Sequence, residues 1–298
     1  MSKKANKNVD FSEAPPRVNE TRRFLRVFIG RPVVIIGAVI MFVFFICALI
    51  PGLLAPYDPI KQDLKSVLAP PGPGHVLGTD ALGRDMFSRV IYGARTALII
   101  ATSAIAFSAV VGTVLGLAAG YFGGWTYTII MRFIDALMAF PGMLLMLTIA
   151  ALLGGGIKMV IIALGIGGIS GYTRVMCGQV MSIRENDYIL AERSLGASSR
   201  RIMFNHLFPN AFPPMIVMMT LAIGMTIMAE AGLSYLGIGV KEPTIAWGSL
   251  VNDGNNYLLS FPLLSLAPGA AIALAVFGFN MVGDGLRDAL DPRLRGTL

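Results

Sequence analysis

Charge is scarce in this 298-residue chain. Only 14% of its residues are Asp, Glu, Lys or Arg, where soluble domains carry about 25%. Hydrophobic residues make up 55%, and the mean hydropathy is +0.71. A soluble core of this size could not hide so much apolar surface, so a soluble globular protein is excluded. Cysteine is nearly absent. Cys47 and Cys177 both fall in apolar stretches without CxxC spacing, which excludes a disulfide framework. The two histidines, His75 and His206, are far apart, and there is no HExxH; no metal site is expected. There is no GxxxxGK[ST] loop, no nucleophile elbow and no acid–base pair on a plausible enzyme scaffold. A chain without these parts has no nucleotide site and no chemistry of its own. It is expected to carry no catalytic, cofactor-binding or metal-binding residue.

What is present is apolar sequence in long runs. Six segments can span about 30 Å of hydrocarbon, at 33–50, 97–120, 126–150, 157–175, 212–236 and 263–285. The expected fold class is therefore an all-α polytopic membrane protein with six transmembrane helices. Gly165, Gly167, Gly168 and Gly171 lower helix propensity in the fourth segment and permit close packing. Net charge is +7. In a soluble chain that would suggest nucleic acid; here the positive-inside rule explains it, and no nucleic-acid partner is expected. With the N-terminus inside, 17 of the 24 Lys and Arg fall on the inner side. Both termini are thus expected in the cytoplasm. Residues 1–32 read as a polar, basic tail, its first part disordered, and not as a cleavable signal. The transmembrane domain is expected over 33–298. An outer loop over 51–95 begins rich in Pro and Gly and turns partly helical before the second span.

The stretch Arg184–Pro214 is a polar island on the inner side. Tyr188, Ile189, Ala191 and Leu195 recur at helical spacing. Gly196 can end that helix in the left-handed conformation. Ser198 or Ser199 can cap a second one, with Ile202, Met203, Phe204 and Leu207 as its apolar face and Arg200 and Arg201 as its basic face. Pro209 is expected to stop it, and Pro213 and Pro214 to repeat the stop. From the residues alone, the island is either a docking element for a partner or an amphipathic pair lying on lipid.

Four further features stand out. Gly112, Gly116, Gly120 and Gly124 recur every four residues, a pattern for close helix packing, within the chain or at a dimer seam. Arg132 and Asp135 share one helix face and can pair. Glu230 lies late in the fifth span, where a carboxylate must face protein or water. It is a candidate for pathway lining, helix packing or proton coupling. Asp284, Arg287, Asp288, Asp291 and Arg293 form a charged cap after the last span.

The island resembles the EAA loop of bacterial ABC-importer permeases, which runs E-A-A, three residues, Gly, nine residues, then I-x-L-P. Gly196 stands at the glycine, and His206-Leu207-Phe208-Pro209 follow at the right distance. The acidic start departs from the pattern, reading Leu190-Ala191-Glu192. The stretches GTDALGRDMFSRVIYGARTAL (78–98), AEAGLSYLGIGVKEPTIAWGSLVNDG (229–254) and FNMVGDGLRDALDP (279–292) look like the C-type subunit of the dipeptide/oligopeptide/nickel permease family. The likeness runs over residues 30–295.

That resemblance implies a type I ABC-importer permease in a prokaryotic plasma (inner) membrane. It implies a homologous B-type permease, two cytoplasmic ATPases that hold ATP and Mg, and an extracytoplasmic solute-binding protein as partners. The coupling loop, 184–211, would dock on an ATPase, with Ala191, Glu192, Gly196, Ala197, Ser198, Arg200, His206, Leu207 and Pro209 as its site residues. Substrates in the family include dipeptides, longer peptides, nickel complexes and glutathione. Outer loop 237–262 is the candidate contact for the binding protein. A proton-coupled carrier is the alternative; it should show midplane ionisable residues in broken helices, and only Glu230 qualifies in part.

Overall fold

The structure, a computed structural model, describes Phe28 and residues 30–290. Most of the expected tail, and Asp291 and Arg293 of the charged cap, lie outside the described residues. Regular structure among the described residues is helical. The long elements are α1 (Pro32–Leu49), α2 (Met86–Phe122), α3 (Gly124–Met138), α4 (Gly142–Leu153) and α5 (Ile157–Arg184). They continue with α6 (Asp187–Ser194), α7 (Pro213–Tyr235), α8 (Trp247–Asn255) and α9 (Leu263–Leu290). Among the described residues, five helices are long and apolar enough to cross a membrane, or six spans if the bent pair α3–α4 counts as one.

That bent pair replaces the single helix predicted over 126–150. α3 and α4 meet at 88°. Pro141 is the cause: its φ is held near −56°, and its ring disfavours helical geometry at Phe140. At the far end of α4, Gly154, Gly155 and Gly156 all take positive φ, so the chain reverses without a Cβ in the way.

The centre of the bundle is the seam between α2 and α5. Helices in lipid gain little by burying apolar groups, so they associate through close contact and hydrogen bonds. Gly112, Gly116 and Gly120 supply the contact. A Cβ on them would lie 2.5 Å from Tyr172 Cβ, 2.6 Å from Thr173 O and 2.8 Å from Val180 Cβ, respectively. The glycine stripe is therefore used inside the chain. Gly124, its fourth member, instead opens α3 with φ +49°. Ser108 Oγ donates across the seam to Gly165 O at 2.8 Å. The fourth-span glycines thus fill a continuous 28-residue helix, and their small size lets neighbours in.

A second seam joins α1 to α9, where a Cβ on Gly37 would lie 2.6 Å from Met281 Cβ. Arg31 pairs with Asp288, so the start of α1 and the end of α9 share one face of the bundle. Phe44 packs edge-on against Phe279, ring centroids 5.5 Å apart. Trp247 of α8 stacks beside them and donates Nε1–H to Val90 O at 2.8 Å.

Gly116→Leu is expected to abolish recovery of monodisperse protein in detergent, because backbone atoms of α5 occupy the space; overpacking costs about 1–3 kcal/mol or more. Gly142→Ala meets no atom within 4 Å and should melt like the parent.

Candidate functional site

The loop between α5 and α7 begins with an anchor. Arg184 Nη1 donates to Gly120 O at 2.8 Å and reaches Tyr121 O at 3.4 Å. A cation there satisfies the free carbonyls at the C-terminal end of α2. α6 follows, with Asp187 in its first turn and Arg193 in its last, each complementing the helix dipole.

α6 ends in a Schellman motif. Gly196 takes φ +81°; its N–H donates to Arg193 O at 3.0 Å, and Ala197 N–H donates to Glu192 O at 3.0 Å. Only glycine adopts that backbone without strain. Ser198 then caps the second arm, its Oγ accepting from Arg201 N–H at 3.4 Å. The helical break predicted from the sequence is where the structure has it.

The second arm differs from expectation at Pro209. It runs without a stop through Ser199–Arg201, Ile202–Leu207 and Phe208–Ala211, with Pro209 inside it. The middle segment is a π-helix. In an α-helix the proline ring would strike the carbonyl four residues back; the wider turn moves that carbonyl away. The next prolines, Pro213 and Pro214, open α7, where a missing N–H costs nothing.

One face of the loop is buried and the other bare. Ile189, Ile202, Leu207 and Ala211 are fully enclosed against Tyr172, Met176 and Val180 of α5 and Met215 of α7. Ala197 packs at the edge of that cluster. Leu195 is 85% exposed and Phe204 55%; Tyr188 and Leu190 are exposed beside them. Glu192 Oε1 of one arm lies 3.6 Å from His206 Nε2 of the other, and the Arg193 guanidinium sits 5.1 Å from the ring centroid of Tyr121, at the end of α2. Arg200 and Pro209 point outward, exposed. Ala191 lies on the exposed side of α6, its carbonyl accepting Leu195 N–H at 3.0 Å. The arrangement offers no nucleophile and no acid–base machinery. It is a wedge whose exposed face mixes the apolar Leu195, Phe204, Tyr188 and Leu190 with Arg193, Arg200 and Arg201.

Glu230 is remote from this loop. It is 1% exposed and accepts a 2.6 Å hydrogen bond from Ser234 Oγ, whose oxygen in turn accepts Val240 N–H at 3.2 Å. The carboxylate is enclosed by its own chain and does not reach the surface. Asp135 does not pair with Arg132 as predicted. It accepts from Arg174 Nη2 of α5 at 2.6 Å, because the cross-helix partner reaches it more closely than the one on its own face.

On the opposite face the outer loop holds a charge cluster that the sequence reading missed. Asp80 Oδ2 receives Arg84 Nε at 2.7 Å and Arg89 Nη1 at 2.5 Å. Asp80 Oδ1 accepts the N–H groups of Leu82 and Arg84, each at 2.9 Å. Arg84 Nη1 also reaches Glu242 Oε1 at 2.8 Å, tying loop 51–85 to the loop after α7. Burial works to lower Arg84, but hydrogen bonds to Glu242 and Asp80 outweigh it and hold the guanidinium above its usual range. Burial raises the Asp253 carboxyl beside them, with Arg89 and Arg84 pulling back. The mixed charges of GTDALGRDMFSR were a signal; the partner at Glu242 is too distant in sequence to be read. Asp85 caps α2, accepting Ser88 N–H at 2.8 Å, and His75 Nδ1 lies 2.8 Å from it. Among the described residues, no group of three or more His, Cys, Asp or Glu could hold a metal ion.

Residues 112–296 match the family described as binding-protein-dependent transport system inner membrane component. Residues 20–71 match the N-terminal transmembrane domain of oligopeptide transport permease C. The chain is 39% identical to the dipeptide transport system permease protein DppC of Alkalihalophilus pseudofirmus, over 88% of this chain and 86% of that one. It is 38% identical to the oligopeptide transport system permease protein OppC of Bacillus subtilis, over 90% and 88%. It is 37% identical to the glutathione transport system permease protein GsiD of Pectobacterium atrosepticum, over 92% and 91%. A solved structure of the MetNI methionine ABC transporter, in inward-facing conformations, shares the fold. Its TM-score is 0.56 at 17% identity, covering 69% of this chain and 98% of that one.

Asp80→Asn leaves two buried guanidinium groups facing each other without their shared counter-ion. Thermal unfolding should show a loss of about 3–5 kcal/mol, as for a broken buried pair. Glu242→Gln, at a side chain 67% exposed, should cost about 0–1 kcal/mol.

Proposed function

The chain belongs to the inner membrane components of binding-protein-dependent transport systems, and from that premise we propose that it carries di- or oligopeptides, or a related small solute, as one half of a permease pair. It is a non-catalytic, multi-pass membrane subunit. In this reading it lies in a prokaryotic plasma membrane, with both termini in the cytoplasm. It pairs with a homologous B-type permease, is driven by two ABC ATPases that hold ATP and Mg, and receives solute from an extracytoplasmic binding protein. The relatives named for dipeptide, oligopeptide and glutathione transport support the substrate class.

The observation that carries the reading is the two-faced loop 184–211. A loop that merely connected spans would not need a Schellman break, a capped second arm and a fully buried set of anchors. These features suit a part that is pushed. The exposed Leu195, Phe204 and Tyr188 are the face offered to an ATPase groove. Ile189, Ile202 and Leu207 pass displacement to α5 and α7. Ala197, Ser198, Glu192 and His206 keep the two arms at a fixed angle. Glu230 acts in this scheme as a packing residue, holding the end of α7 to the loop that follows.

The test is transport by the reconstituted importer, with peptide uptake and ATP hydrolysis measured together. Gly196→Asp forces a β-carbon into a left-handed position. It should reduce uptake per ATP hydrolysed by about tenfold or more, the effect expected of roughly 1.4 kcal/mol of lost coupling, at normal membrane insertion. Leu207→Asp should do the same. Normal uptake by Gly196→Asp at normal expression would exclude the coupling role.

A further inference from the structure

The pair Asp135–Arg174 is out of place for a protein surface in lipid. Arg174 is ten residues before Arg184, the start of the coupling loop, so it lies about 15 Å along α5 from that end at 1.5 Å per residue. Asp135 lies eleven residues after Gly124, about 16 Å along α3 from the same end. Both depths fall well inside about 30 Å of hydrocarbon. The pair is nonetheless open on this chain: Arg174 is 48% exposed and Asp135 49%. Charges at bilayer depth face a bundle interior or water, not lipid.

Polar side chains continue from the pair, beside exposed apolar ones such as Ile129, Phe133, Met138 and Met181. On α3, Thr128, Arg132 and Asp135 are spaced four and three apart and all exposed. On α5, Arg174, Gly178 and Ser182 are spaced four apart and all exposed. Two helical stripes therefore lead from the pair to the coupling-loop end. The contrast is α1, whose outward face carries Val33, Ile36, Val39 and Phe42 and suits lipid. α3 and α5 present one water-compatible strip; α1 presents none.

We propose that the Asp135–Arg174 pair is a charged station in the translocation path, where a zwitterionic peptide exchanges its own carboxylate and ammonium for the pair's partners. The identity of the solute rests on the peptide-importer reading above; the aqueous exposure of the station does not. The guanidinium is suited to the peptide carboxylate, bidentate and charge-assisted, and Asp135 to the ammonium. The exchange breaks one ion pair and forms two, so neither Asp135 nor Arg174 is left without a counter-charge while the solute is bound. Arg132, one turn away, leaves the strip with a net positive charge that favours the carboxylate end.

Two measurements on the complete importer in proteoliposomes test this. The first replaces Cys47 and Cys177 by Ser and introduces Gly178→Cys on the polar strip or Val39→Cys on α1. A membrane-impermeant thiosulfonate should modify Gly178→Cys at least about tenfold faster, since only hydrated thiols form thiolate readily. Equal, slow labelling of both would place the pair in a dry interface and overturn the station, whatever the solute is. The second measures dipeptide uptake and ATP hydrolysis for Arg174→Gln and Asp135→Asn. Each should lose about tenfold in uptake per ATP, the effect of one charge-assisted hydrogen bond, at unchanged melting temperature. Parallel loss of stability and uptake, both restored by the swap Asp135→Arg with Arg174→Asp, would make the pair a structural brace and overturn the proposal. If the parent importer moves no dipeptide while Gly178→Cys still labels fast, the peptide reading fails and the station stands.

Discussion

Close approach of α2 and α5 is the constraint on which the rest of the molecule depends. In lipid an apolar side chain gains little by leaving its neighbours, so the bundle cannot rely on the hydrophobic effect that holds a soluble core. It relies on backbone contact that only glycine permits, at Gly112, Gly116 and Gly120, and on the Ser108 bond across the seam. The position of loop 184–211 follows from this seam. Arg184 can cap the end of α2 only because the two helices run side by side to their common end. Remove the seam and the loop loses both its anchor and the cluster of Tyr172, Met176 and Val180 into which its arms are set.

The three levels of the molecule are stabilised by different physics because they sit in different solvents. At bilayer depth, glycines and aromatic contacts such as Phe44 on Phe279 do the packing. At the end of the bundle away from loop 184–211 the connections are ionic: buried Asp80 holds two buried arginines, and one of them reaches the exposed Glu242. At the opposite end, the loop is set by backbone capping, with Gly196 and Ser198 closing helix ends that would otherwise expose unsatisfied groups.

Local rules made much of this legible in the sequence. Gly196 and Ser198 are signals that act within a few residues, and the structure uses both. The apolar spans were legible because the thickness of hydrocarbon sets their length. What escaped was non-local or ambiguous. The span over 126–150 was read from its apolar length, which runs on past Pro141, so the 88° turn that this proline signals went unread. Asp135 has a neighbour of opposite charge at helical spacing, Arg132, yet its partner is Arg174 on another helix. Asp80, Arg84 and Glu242 meet across 158 residues of chain between Arg84 and Glu242. Pro209 misled because the rule that proline stops a helix assumes α geometry, and the π-turn before it relaxes that assumption.

The same helix joins the loop to the charged pair. α5 carries Arg174 and ends at Arg184, where the loop begins, with no break between them. α3 carries Asp135 and hangs from the glycine turn at Gly123 and Gly124, which follows α2. In the proposed scheme a push on the loop would act on Arg174 through ten residues of continuous helix, and on Asp135 through the ion pair itself and the glycine turn before α3. The two halves of the ion pair stand on mechanically distinct supports. α2 and α5 are tied by the Ser108 bond to Gly165 O and the Arg184 bond to Gly120 O, so α5 and the seam move together when the loop is displaced. In the proposed scheme, that movement would be felt at the Asp135–Arg174 pair through α5.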